Sequence, residues 1–193
     1  KGSGQVKDFV QSIDSIDAEA VYMGKMLEKL RQVQEIKHGF KDIKPVNVED
    51  LILDIRPKLK ELPGVKYPDV RFDDLLKRPV LVDRNLIKVI LENLLENACV
   101  FRRDLGNDSP RIDIQLKKED EDIYISIRDE GVGIAADVRD RIFDMFFTGS
   151  ERSRGQGLGL HLVQRALREI GGRISVESKE GVYTEVIVRF HEM

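Results

Sequence analysis

The sequence predicts an α+β fold led by a long helical segment, and three observations predict it. Apolar residues recur at helical spacing through the first forty positions. Two pairs of alternating apolar and polar runs follow further on, each pair joined by a short turn. Amphipathic stretches with capping residues or glycine stops stand between those runs.

In chain order, Lys1-Gly2-Ser3-Gly4 is set apart as a processing or fusion remnant. From Phe9 the stripe Phe9, Ile13, Ile16, Ala20, Met23, Leu27, Leu30 steps 4-3-4-3-4-3, a heptad seam over about three repeats. Val33, Ile36 and Phe40 continue an apolar face after a phase shift. Such a stripe suits a helix packed on its own domain or one paired in a bundle or dimer. Ser12, Asp14, Ser15 and Asp17 are able to cap a new helix, so a hairpin turn near them is a further expectation. His38-Gly39 and Lys44-Pro45 end the segment, Gly as a helix stop and Pro as a breaker.

Asn47, with Asp50 three residues on, is the expected N-cap of a helix over 48–62, closed by Pro63-Gly64. Strands are expected over 70–73 and 79–82. Asp83 caps a helix over 86–101 with apolar Leu86, Ile87, Val89, Ile90, Leu94, Leu95 and Ala98. Residues 104–110 read as loop. Strands at 111–117 and 123–129 flank an acidic turn at 119–122. Helical pattern returns at 138–146. A polar stretch, 148–154, precedes a Gly-rich element and a helix to about Ile170, stopped by Gly171-Gly172. Strands at 173–178 and 183–190 turn at Glu180-Gly181.

Composition narrows the function classes. With its 15 glycines added to the 41% hydrophobic fraction, roughly half of the 193 residues are apolar, as in ordinary globular proteins. A net charge of −3 argues against a strongly cationic nucleic-acid binder. The lone cysteine, Cys99, can form no disulfide within the chain and fits a reducing compartment. No uncharged apolar run approaches the ~18 residues that span a membrane, and no secretory signal pattern opens the sequence.

Three islands carry chemistry. Asn93 and Asn97 are four apart and share one helix face, where carboxamide oxygens are able to ligate a hard cation such as Mg²⁺; two such amides are equally at home as caps or surface groups. Asp129-Glu130-Gly131-Val132-Gly133-Ile134 follows a strand, with a carboxylate placed to accept from a donor such as adenine's exocyclic amine and glycines that permit close approach. Gly155-Gln156-Gly157-Leu158-Gly159-Leu160 opens a helix, where free backbone N–H groups attract phosphate. It is neither the G-x-G-x-x-G of dinucleotide folds nor a P-loop.

Singly these are common patterns. Taken in order, with Ile142-Phe143-Asp144-Met145-Phe146-Phe147 between the last two, they resemble the ATP-binding catalytic domain of sensor histidine kinases, within the superfamily that includes gyrase, Hsp90 and MutL. The resemblance covers roughly 46–190. It implies a two-layer α/β sandwich, a mixed and mainly antiparallel sheet packed on one face by three helices. It divides the chain into a helical segment, 1–44, as part of a dimerisation hairpin, and an ATP-binding domain, 45–193. It implies ATP and Mg²⁺ as ligands. By the resemblance Asn97 is the Mg²⁺ ligand and Asn93 lines the phosphate pocket. Asp129 reads adenine, and Gly131 and Gly133 let the nucleotide sit close. Phe143, Phe146 and Phe147 anchor a lid while packing in the core. Arg152, Arg154, Gly155, Gln156, Gly157, Leu158 and Gly159 lie at the phosphate end, and Thr184 lies near the base.

Three departures matter. The family often carries Lys or Arg three residues after the Mg²⁺ ligand, where this chain has Val100. Arg102, Arg103, Arg152 and Arg154 are the candidates to meet the phosphate charge. Hydrolysing relatives place a general-base Glu where Asn93 stands, so transfer is expected over hydrolysis. Glu92 and Glu96 should rotate off the cleft face. Finally, none of His38, His161 and His191 sits at a phosphoacceptor position, so no catalytic residue is assigned. The resemblance thus implies a donor half whose histidine comes from an upstream segment or another chain. It also implies a response regulator receiver domain as partner, a homodimer through the N-terminal helix and a cytoplasmic location, as in the cytoplasmic part of membrane-anchored sensors; no nucleic acid is expected as a partner, given the net charge of −3. A serine or threonine kinase of the same superfamily, or a non-catalytic nucleotide-gated module, are the alternatives.

Overall fold

The computed structural model describes residues 2–38, 42–65, 68–103, 109–149 and 157–193, with side chains in the first helix only at 16 and 19–36. That helix, α1 (Gly2–His38), is continuous through Ser12–Asp17. The expected hairpin turn is absent there, and Gly2–Gly4 belong to the helix. The seam residues Ile16, Met23 and Leu27 are 61–67% exposed. The apolar face that does dock lies one step around the helix: Met26 and Val33 are half-buried and Ile36 is buried, against α4.

Strand β1 (Ile43–Val46) spans the expected boundary at Pro45 and pairs antiparallel with β3 (Val80–Asp83). Proline is tolerated there because a two-stranded ribbon leaves every strand an edge. Helix α2 (Val48–Leu59) starts as the sequence predicts, with the Asn47 Oδ1 accepting from the Glu49 N–H at 3.0 Å. It ends early because Pro57 has no N–H to donate, and the chain tightens into i→i+3 bonds at Lys60, Glu61 and Leu62. Asp83 caps α3 (Arg84–Val100), accepting from the Asn85 and Leu86 N–H groups.

The main sheet runs β2-β4-β5-β7-β6. These are β2 (Asp69–Asp74), β4 (Arg111–Glu119), β5 (Asp122–Asp129), β6 (Arg173–Lys179) and β7 (Tyr183–His191). Only β2 and β4 are parallel. Alternation sorts the two faces. Ile112, Ile114, Leu116, Ile123, Ile125, Ile127, Val188 and Phe190 are at most 2% exposed and meet α2, α3 and α4 in one core. The other face is polar, with the Arg128 guanidinium stacked over the Tyr183 ring and paired with Glu185. This is the expected α+β, two-layer architecture.

One element differs. The segment read as helix at 138–146 is a 3₁₀ helix, Ala136–Arg141, followed by turns. None of its six residues is buried, so no apolar face holds a longer helix. Phe146 then takes a left-handed φ of 64°, which breaks helical geometry outright. Helix α4 (Gly159–Glu169) opens from the Gly-rich element and buries Leu162, Val163, Ala166 and Leu167. Among the described residues no helix is long and apolar enough to cross a membrane.

Candidate nucleotide site

The site is built around α3. Its Asn93–Asn97 face meets the start of α4. A Cβ placed on Gly159 would stand 3.4 Å from both the Asn93 and the Asn97 Oδ1 atoms. Two carboxamide oxygens therefore converge beside a backbone with no side chain of its own. Asn93 is 2% exposed, and its amide donates to the Val89 carbonyl at 2.8 Å. Its Oδ1 accepts from Lys29 Nζ on α1 at 2.5 Å. The same ammonium bonds Glu96 Oε2 at 2.7 Å. Glu96, expected to rotate away, thus shares a cation with Asn93, while Glu92 does turn outward to Lys58 on α2.

Past the C-terminal end of α3 stands Asp129, the last residue of β5. Register places it between Ile112 and Thr184 on the neighbouring strands. It is 8% exposed, and its Oδ1 accepts from the Gly131 N–H at 2.8 Å. Among the described residues no cation forms an ion pair with it. Burial pushes its carboxyl up to about 6, against the lowering effects of the Gly131 bond and the nearby Arg128 charge. A cavity of about 200 Å³ opens beside it, lined by Ala98, Gly131, Arg102, Arg103 and Arg111. Thr184 is half-buried, its hydroxyl 3.3 Å from Ser178 Oγ. Ser178 Oγ in turn accepts from the Ile134 N–H at 2.8 Å, which fixes the loop after Asp129 to β6.

The structure corrects several expected placements. Two of the glycines expected to admit a ligand also make room for protein backbone. A Cβ on Gly131 would stand 2.5 Å from the Phe101 carbonyl oxygen, and one on Gly157, at φ 61°, 2.6 Å from the Phe147 nitrogen. Gly157 also accepts from the Phe146 N–H at 2.9 Å, pinning the Phe segment to the start of α4. Leu158 is fully buried, so its side chain packs in the interior. Phe146 is 52% exposed and Phe143 and Phe147 are half-buried, so these rings are not core; Arg141 stacks on Phe147. Arg102 donates to the Cys99 and Gly64 carbonyls, and Arg103 to the Glu130 and Gly181 carbonyls. Both clamp loops near Asp129 and do not reach the Asn93 end. Arg152, Arg154, Gly155 and Gln156 lie outside the described residues.

Sequence reasoning missed Lys29 and Ser178. The phase shift in the α1 stripe was the available signal for Lys29, because positions 26, 29, 33 and 36 share the docked face. His191 sits at the far end of β7, with Nδ1 2.9 Å from Asp122.

Comparison with known proteins converges on one family. The family described as histidine kinase-, DNA gyrase B-, and HSP90-like ATPase matches residues 82–193, more than half of the chain. The sensor histidine kinase YkoH of Bacillus subtilis (strain 168) is 30% identical over 188 residues, 94% of this chain and 39% of that protein. The Acinetobacter baumannii histidine kinase AdeS has the same fold at TM-score 0.72 and 17% identity, over 93% of this chain and 83% of that one. Full-length ShkA, solved in complex with AMPPNP, matches at TM-score 0.70 and 22% identity, over 88% of this chain and 36% of that one. The chain spans less than half the length of the curated relative it matches along most of its own length.

Proposed function

The chain belongs to the histidine kinase-, DNA gyrase B- and HSP90-like ATPase family, as an ATP-binding catalytic domain of the sensor histidine kinase kind, and on that premise we propose that it passes the γ-phosphate of Mg²⁺-ATP to a histidine outside this chain. The observation that carries the reading is Asp129. A buried carboxylate beside a cavity, bonded to one backbone N–H, has acceptor capacity left for a donor such as adenine's amine. Thr184, directly across the ladder, is positioned to border the same base.

The phosphate end fits a hard cation. Carboxamide oxygen is a ligand type that Mg²⁺ accepts, and this ion takes few protein ligands and completes its shell with phosphates and water. Asn97 would hold Mg²⁺, which neutralises phosphate charge when bound, and Asn93 and Gly159 would line the phosphates. Asn93 is an amide with both ends bonded, so it cannot take a proton from water. The site therefore suits transfer to a side chain over hydrolysis.

In this reading 1–44 is part of a dimerisation hairpin and 45–193 is the nucleotide domain, in the cytoplasm. The partners are a second copy through α1, a histidine-bearing hairpin and a response regulator receiver domain. Calorimetry with Mg²⁺-ATP tests the site, with wild type compared against Asp129→Asn. Absence of binding in the wild type, or equal binding in the variant, refutes it. Phosphate passed to an intact hairpin should be acid-labile and base-stable; acid-stable phosphate would mean a serine or threonine acceptor.

A further inference from the structure

The phosphate end of the site lacks the family's usual basic residue, since Val100 stands there, and Arg102 and Arg103 are committed to carbonyls elsewhere. A cation nevertheless reaches it, from another element. Lys29, which belongs to none of the three motifs, projects from the docked face of α1, its side chain 22% exposed, onto Asn93 and Glu96. The Asn93 oxygen it touches is one of the two that converge beside Gly159. An ammonium carries three donors, and these two bonds use two of them. We propose that Lys29 is a phosphate-binding residue of this site, reaching the terminal phosphate of the nucleotide from α1.

The electrostatics favour an exchange of partners. Glu96 is 38% exposed, so its carboxylate can return to water at small cost. Mg²⁺-ATP brings a net negative charge to a more enclosed position, where a charge-assisted bond is stronger. Lys29 therefore moves from Glu96 to phosphate while keeping its hold on Asn93. The consequence is specificity for chain length: the residue that senses the last phosphate sits on the helical segment, so a triphosphate fastens α1 to the nucleotide domain and a diphosphate does so less.

The inference rests on the nucleotide-site reading above, and the test separates the two. Affinities for AMPPNP, ADP and AMP, each with Mg²⁺, are measured by calorimetry on the full chain. Lys29→Met, which keeps the aliphatic stem, should weaken AMPPNP about tenfold, ADP by about threefold or less, and AMP not at all. Lys29→Arg should restore most of the loss, and Glu96→Gln should tighten AMPPNP by freeing the ammonium. Equal losses for all three nucleotides would mean that Lys29 only anchors α1, and tighter AMPPNP binding would mean that it blocks the site; either overturns the proposal. An unchanged AMPPNP affinity in Lys29→Met, with Asp129→Asn still defective, overturns it while leaving the nucleotide site standing. A wild type that binds none of the three overturns both.

Discussion

Two aspartates end the same strand and have different fates. Asp122 opens β5 and Asp129 closes it, about 24 Å apart at the usual strand rise. Asp122 faces two side chains on the neighbouring strand, the Arg189 guanidinium at 3.5 Å and the His191 ring at 2.9 Å. Asp129 is more deeply buried and has a single backbone donor. The first already has side-chain partners on the neighbouring strand. The second is a carboxylate held in an expensive environment with bonding capacity unspent. Unmet demand, not charge, is what separates a ligand site from a surface pair.

The largest expected effect is on affinity. Asp129→Asn should weaken Mg²⁺-ATP by about ten- to a hundredfold, the worth of a hydrogen bond to a charged group, whereas Asp122→Asn should leave it unchanged. Titration calorimetry of both variants decides; equal effects would erase the contrast. The same substitution should raise stability at pH 7. The folded state holds the Asp129 proton up to about pH 6 and the unfolded chain only to 3.8. Stability from this group is thus present at low pH and is lost as pH rises through the 4–6 window, by about 3 kcal/mol. Urea unfolding at pH 4 and pH 7 should show that loss in wild type and not in Asp129→Asn.

Binding runs the opposite way, because adenine's amine needs the ionised acceptor. Nucleotide affinity should be flat above pH 7 and fall about tenfold per pH unit well below 6, with a midpoint that Asp122→Asn does not move. A midpoint near 4 would show that Asp129 is not the group that reads the ligand. Asn97→Ala should reduce affinity about tenfold in Mg²⁺ but hardly in EDTA if, as proposed, its side chain holds the metal and not the base. Gly131→Ala, whose Cβ would meet the Phe101 carbonyl, should cost about 1–3 kcal/mol in urea unfolding. Smallest is the other end of the strand: Asp120 sits at φ 54° in the turn before Asp122, and Asp120→Gly should stabilise by about 0.5–1 kcal/mol.

Local chemistry made much of this legible in the sequence. Asn47 and Asp83 are caps because short polar side chains beside a periodic run satisfy orphan N–H groups, and both do so here. The alternating isoleucines of β4 and β5 announce a sheet with one buried face. What was not legible depends on partners distant in sequence. The stretch 138–146 has helical spacing but no core to bury it. Strand β1, with its Pro45, exists only because β3 offers a partner. Within the proposed site, Asn93, Asn97, Asp129 and Gly159 could be named from the order of the motifs and the resemblance they carry, while Lys29, 64 residues before Asn93, could not. The glycines were found but their neighbours were not: at Gly131 and Gly157 a sequence shows the missing side chain and hides what fills the space.

Helix α1, at 37 residues, is about 55 Å long, and among its described side chains those that are half-buried or buried begin at Met26. Amides near Ile36 should therefore exchange with solvent deuterium as slowly as those of α4, opening only with the domain itself. Amides around Glu19 to Lys25, under side chains left in water, should exchange at the rate of a free helix in dilute solution. Their exchange should slow as protein concentration rises if a second copy covers the seam, whereas the rate near Ile36 stays fixed. One helix would then report two equilibria, one within the chain and one between chains.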